Sequence, residues 1–229
     1  MTELEEGWGA FVTAPQAAPR PRVPWEDPEL SGPVAFFATL WRVLFHPGEF
    51  FANLGREGGW SEPWAFGLIT STVGLLGAFF WELLIVAPES LHLEAAAGMP
   101  VSLHPGWVMA AMVSAPFLAL VNLGVGAFCW WGGVALVGAD RDFTPAWRTF
   151  CYAQGGLVLA LIPFFGSALA GVWILVLMYC CGKRFYGLST WSALTAVAMF
   201  LMFQVILGLI LLISLMAYLA LLGILLFLG

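Results

Sequence analysis

Long runs of apolar residues, separated by short charged or proline-containing stretches, dominate the chain from residue 63 onward. A helix needs about 20 residues to cross a hydrocarbon core about 30 Å thick. The pattern predicts membrane-crossing helices over five stretches: about residues 63–87, 107–138, 145–162, 165–181 and 190–229. We therefore expect an all-α, polytopic membrane protein with about five transmembrane helices.

The last apolar run leaves the number of crossings open. Residues 191–228 contain no charged side chain, and as one helix they would extend about 57 Å. Either this run is a single long, tilted helix, or it folds back near Gly208 or Ser214 as two crossings. We favour the single helix, and so five crossings over six.

The first 62 residues have a different pattern. Residues 1–32 mix Pro, Ala and Glu without periodicity, which predicts a flexible acidic tail. From Pro33 apolar positions recur at helical spacing, and a second short apolar face follows a break at residues 46–48. We expect residues 33–62 to form amphipathic helices in the headgroup region. The alternative is that they pack on the cytoplasmic ends of the membrane helices. Residues 63–229 form the membrane bundle.

Basic residues lie on one side only of this predicted topology. Two loops, residues 88–106 and 163–167, contain none. The positive-inside rule then places the N-terminus in the cytoplasm. The basic residues are Arg20, Arg22, Arg42, Arg56, Arg141, Arg148, Lys183 and Arg184.

Composition supports a membrane protein and excludes several functions. Hydrophobic residues make up 61% of the chain and charged residues 10%, against roughly 45–50% and 25% in soluble domains. A net charge of −6 argues against nucleic-acid binding. The sequence contains no phosphate-binding loop, metalloprotease motif or serine-nucleophile motif. We expect no enzyme activity, no cofactor and no metal site, because His92, Glu94 and His104 are too scattered to predict one.

Polar residues within or beside the predicted spans are candidates for function. Glu82 lies near the outer end of the first span, where it either reaches headgroup water or serves transport. Three amides lie deeper: Asn122, Gln154 and Gln204. They either hydrogen-bond between helices or line a polar path. Seven glycines are expected to allow close helix packing: Gly74, Gly77, Gly124, Gly155, Gly156, Gly166 and Gly171. In the tail, an acidic cluster is a possible docking site for a cytosolic partner: Glu26, Asp27 and Glu29.

Four segments resemble the Yip family of Ypt/Rab-interacting membrane proteins. They are LFHPGEFFANL (44–54), GGWSEPWAFGL (58–68), TPAWRTFCYA (144–153) and IPFFGSALAGVWILVL (162–177). Eukaryotic members carry an Asp-Leu-x-Gly-Pro motif before the first span and a Gly-Tyr with a downstream proline in the third. The corresponding positions here include Glu62, Pro63, Tyr152 and Pro163. The departures from both motifs argue against Rab-type GTPase binding and indicate a bacterial homologue.

The resemblance implies a five-span protein with a cytosolic N-terminal region and no established catalysis. We therefore expect a membrane-organising or adaptor role, with the lipid bilayer and other membrane proteins or further copies of the chain as partners. The alternatives are a small transporter, channel or lipid-moving protein with a polar path through Glu82, Asn122, Gln154 or Gln204, and an accessory subunit of a larger membrane complex. The expected location is the bacterial cytoplasmic membrane, or an endomembrane in a eukaryote.

Overall fold

The computed structural model describes residues 23–97, 105–139 and 141–228. In these residues the regular elements are helical. The α-helices are α1 (Gly32–Phe45), α2 (Pro47–Asn53), α3 (Ser61–Ala97), α4 (Pro105–Leu136), α5 (Phe143–Ala153), α6 (Gly166–Arg184) and α7 (Thr190–Leu228). Two 3-10 helices, Pro24–Glu26 and Gln154–Leu161, accompany them.

Four of these helices are long and apolar enough to cross a membrane: Ser61–Leu84, Met109–Leu136, Gly166–Arg184 and Thr190–Tyr218. Most of their surface faces outward, since no more than a third of the most apolar window of each is buried within the molecule. Apolar surfaces of this extent mark contact with lipid or with another membrane protein. The expected all-α, polytopic membrane fold is confirmed.

The third predicted span is a broken element. The sequence predicts one helix opening at Thr144-Pro145, whereas α5 begins at Phe143 and gives way at Gln154 to a 3-10 helix that ends at Leu161. Gly155 and Gly156 favour this change, because glycine weakens an α-helix. In the described residues four helices have the length and hydropathy of a crossing helix, and this broken element is not among them.

The ends of two spans differ from the sequence expectation. The first span was expected to stop near residue 87, but α3 continues to Ala97. Its last residues, ESLHLEAAA, are mostly good helix formers, so the helix persists beyond the length that a bilayer requires. The last apolar run forms the single helix α7, as favoured above.

The short helices α1 and α2 pack on the bundle, and α1 also keeps an apolar face outward. Ala35, Leu40 and Val43 are buried, and so are Phe50 and Phe51 of α2. The opposite side of α1 is more than half exposed at four apolar positions: Val34, Phe37, Trp41 and Phe45. Helix α1 is therefore seated on the bundle and leaves one apolar stripe exposed, while its place in the headgroup region stays a prediction.

Residues 23–26 belong to the predicted flexible tail and yet pack on the bundle. The sequence assigns residues 1–32 to this tail, but Val23 and Pro24 are buried, and a 3-10 helix follows directly. We call residues 23–26 the strap. The reason for the difference is tertiary, because the strap gains its ordering energy from contacts with the bundle, and periodicity within the tail does not report them.

Close helix packing depends on some of the glycines and not on others. A Cβ at Gly74 would lie 2.5 Å from the Leu157 carbonyl oxygen, and one at Gly166 would lie 2.6 Å from the Leu159 carbonyl oxygen. By contrast, a Cβ at Gly124 or Gly171 would meet nothing within 4 Å. Only the first kind allows backbones to approach each other.

Candidate functional site: a buried ion pair at the charged end

We call the end of the bundle where α3 and α5 begin and α6 ends the charged end. In the described residues this end carries every basic side chain. They are Arg42, Arg56, Arg141, Arg148, Lys183 and Arg184. At the opposite end the Trp81 indole donates a hydrogen bond to the Leu161 carbonyl oxygen (3.0 Å). The basic side chains, rather than the tryptophans, thus distinguish the two ends of the bundle.

Arg148, the middle residue of α5, lies inside this charged end. Its side chain is only 1% exposed. Nε donates to the Gly55 carbonyl oxygen (3.2 Å), and Nη1 donates to the Gly59 carbonyl oxygen (3.0 Å). These carbonyls come from the loop between α2 and α3, so the guanidinium joins that loop to α5.

Glu26 of the strap neutralises the buried guanidinium. Arg148 Nη2 lies 2.7 Å from Oε1 and 3.0 Å from Oε2 of the Glu26 carboxylate. The Tyr152 hydroxyl, one helical turn after Arg148, donates to the same Oε1 at 2.6 Å. A guanidinium this deeply buried is costly without a partner. We call Glu26, Arg148 and Tyr152 the latch.

Trp25 anchors the strap beside the latch. Its indole Nε1 donates to the Glu62 carbonyl oxygen (2.7 Å), and its backbone N–H donates to Thr39 Oγ1 (2.9 Å). The ring also packs against Phe36 and Phe66, with centroids 5.9 and 6.2 Å away. The strap is therefore held by α1, α3 and α5 together.

Glycine is required where the loop closes over the guanidinium. A Cβ at Gly58 would overlap the Arg148 side chain, and the three nearest atoms all belong to its guanidinium group. Any larger residue would displace the arginine from its hydrogen bonds. The course of this loop and the position of the Arg148 guanidinium in the ion pair therefore depend on each other.

A second polar cluster lies deeper in the bundle. Asn122 Nδ2 and Ser71 Oγ lie 3.3 and 3.4 Å from the Gln154 side-chain oxygen. Gln154 is only 2% exposed, and the three residues come from α4, α3 and the start of the central 3-10 helix. The hydrogen bonds of this cluster join three elements of the bundle to one another.

The other candidate residues stay apart from these two clusters. Gln204 is half-buried on α7. Glu82 is exposed and lines a cavity of about 380 Å³ with Trp81 and Phe164 at the end opposite the latch. Glu62 is exposed, and the strap contacts its backbone carbonyl rather than its carboxylate.

The acidic residues of the tail have different environments. The Glu26 carboxylate is engaged within the molecule, whereas Asp27 accepts a hydrogen bond from the Glu29 backbone N–H (3.0 Å). Glu29 is exposed. The side chains of His92, Glu94 and His104, weighed above as metal ligands, lie outside the described residues.

Sequence reasoning missed Arg148, which it used only as a positive loop charge. One signal was present: Arg148 falls inside the predicted span 145–162, where a charge needs a partner. The acid that compensates it lies 122 residues earlier in the chain. Sequence spacing alone could not identify that acid.

The fold defines the class of protein as an integral, multi-pass, all-α membrane protein. A family model described as the Yip1 domain matches residues 41–215. The chain therefore belongs to the Yip family, as its sequence motifs suggested. A comparison with curated proteins found no match, and neither did a comparison with solved structures.

Proposed function

We propose that this chain is a non-enzymatic membrane-organising or adaptor protein that presents its N-terminal region from the charged, cytoplasmic end of the bundle. The observation that supports the proposal is the latch. Three polar side chains, on the strap and on α5, hold the chain at residue 26 against the membrane domain. The latch therefore fixes the position of residue 26 at the charged end, beside the surface that we propose for partners.

The buried polar cluster supports the same proposal over transport. A transporter would need polar groups that converge on a space accessible to solute. Gln154 is almost fully buried, and its side-chain oxygen is within hydrogen-bonding distance of Asn122 and Ser71. Both contacts join neighbouring elements of the bundle, which suits interhelical adhesion.

Photo-crosslinking in native membranes tests the adaptor proposal. A photoreactive amino acid at exposed Glu57, near the latch, should capture discrete protein neighbours, while one at exposed Phe164, at the opposite end, should not. Glu26→Ala should change the set captured from position 57, and Glu29→Ala should leave it unchanged. If the chain is solitary from both positions, and its deletion leaves membrane shape unaltered, the adaptor proposal is wrong.

An accessory-subunit role is a second candidate, favoured by a groove between α4 and α7. This groove has a volume of about 520 Å³ and an almost entirely apolar lining that includes Trp131, Gly132 and Phe203. Such a surface suits a partner helix in the bilayer. A photoreactive residue at Leu136 should then crosslink to one membrane protein, whereas lipid adducts alone would contradict this role.

A further inference from the structure

A polar pocket separate from the latch also lies at the charged end. It has a volume of about 390 Å³ and lies between the last turn of α1 and helix α2. A Cβ at Gly48 of α2 would lie 3.8 Å from Nε of Arg184, the last residue of the crossing helix α6. The pocket is therefore level with the end of a membrane span, where lipid headgroups lie.

The pocket is lined by hydrogen-bond donors and acceptors, among them the opposite charges of Arg42 and Glu49. Arg42 and His46 supply donors, and Glu49 and Asn53 supply acceptors. The Asn53 amide nitrogen donates to the Glu49 carbonyl oxygen (2.9 Å), which leaves the amide oxygen as an acceptor. Neither Arg42 nor Glu49 forms an ion pair with another residue of the part of the chain that the structure describes, so both charges can meet a ligand.

An apolar surface continues directly from this polar pocket. Trp41 lines the pocket and also belongs to the exposed stripe on α1. Its ring lies 4.2 Å, centroid to centroid, from that of Phe45, which is 59% exposed. A ligand with a charged head and an apolar body would contact both surfaces at once.

We propose that this pocket binds the headgroup of a phospholipid of the phosphatidylethanolamine type. The phosphate accepts hydrogen bonds from the Arg42 guanidinium, a charge-assisted contact, and from a ring N–H of His46. The primary ammonium donates to the Glu49 carboxylate and the Asn53 amide oxygen. The acyl chains lie along Trp41 and Phe45. A choline headgroup carries no N–H and cannot form the ammonium hydrogen bonds, which is the basis for selection between the two zwitterionic lipids.

Native mass spectrometry of the full-length protein tests this proposal. The protein is released from vesicles that contain equal amounts of phosphatidylethanolamine and phosphatidylcholine. The wild-type protein should retain the ethanolamine lipid about tenfold more than the choline lipid, the ratio that 1.4 kcal/mol gives. Arg42→Gln should lose both lipids. Glu49→Gln should retain them equally, because it removes the charge that recognises the ammonium.

The controls are exposed charges of the same sign at the same end. Arg141→Gln and Glu57→Gln should keep the wild-type preference, and Arg42→Lys should restore phosphate binding that Arg42→Gln abolishes. Soluble glycerophosphoethanolamine should not displace the lipid, because it lacks the chains that contact α1. The proposal is wrong if the wild-type protein retains both lipids equally, or if the pocket and control variants lose bound lipid to the same extent. Displacement of the lipid by the soluble headgroup would also overturn it.

Discussion

Removal of the Glu26 carboxylate should destabilise the protein by an amount that the latch geometry allows us to estimate. Loss of one partner of a buried ion pair costs about 3–5 kcal/mol. The Glu26 side chain is 23% exposed, whereas that of Arg148 is 1% exposed. Water can therefore partly replace the carboxylate once it is gone. We expect Glu26→Ala to lower the free energy of unfolding by about 3 kcal/mol, the lower end of that range.

A graded series separates charge from hydrogen bonding. Glu26→Gln keeps an acceptor for the Tyr152 hydroxyl but loses the charge, so it should cost about half as much, because charge-assisted hydrogen bonds are roughly twice as strong as neutral ones. Arg148→Met combined with Glu26→Gln should cost less than the sum of the two single changes. Glu29→Ala, at an exposed neighbouring acid, should stay within about 0.5 kcal/mol of wild type.

Two measurements check this prediction. Reversible unfolding by sodium dodecyl sulfate in mixed micelles, followed by circular dichroism, gives the free energies. Hydrogen exchange of the peptide that contains residues 24–31 reports whether the strap detaches, since the Trp25 N–H is bonded to Thr39 in the folded protein. If Glu26→Ala matches Glu29→Ala in both measurements, the latch does not hold the strap and the reasoning is refuted.

Three further predictions concern packing, the polar cluster and topology. Gly74→Ala should cost about 1–3 kcal/mol because its Cβ meets a backbone carbonyl oxygen 2.5 Å away, whereas Gly124→Ala should be neutral or slightly stabilising; unfolding in micelles compares them. Gln154→Leu should lower the free energy of unfolding by about 1–2 kcal/mol. It should leave the flux of small solutes into proteoliposomes unchanged, and a fall in this flux would favour the transport alternative. Ser167→Cys and Lys183→Cys should react with impermeant thiol reagents from opposite sides of the membrane, and labelling from the same side would contradict the proposed topology.

Much of the fold follows from the sequence because lipid and water act on each residue locally. Length and hydropathy predict where apolar helices lie, and the four helices that are long and apolar enough to cross a membrane overlap four of the predicted stretches. The family motifs likewise depend on local residue order, and the matched domain agrees with them. The break between α1 and α2 also follows from local chemistry, since Pro47 cannot continue a helix in its interior.

Tertiary structure alone decided which residues meet. The sequence indicates that Arg148, inside a predicted span, needs a partner, but only the position of the strap shows that this partner is Glu26. Asn122 and Gln154 share a cluster because α4 packs on the central broken helix. Likewise, Gly74 and Gly124 look equivalent in sequence, although only Gly74 faces a neighbouring backbone. The preference of a side chain for lipid or water depends on that side chain alone. A buried charge, a buried amide or a close contact is favourable only with a suitable partner, and the fold must supply that partner.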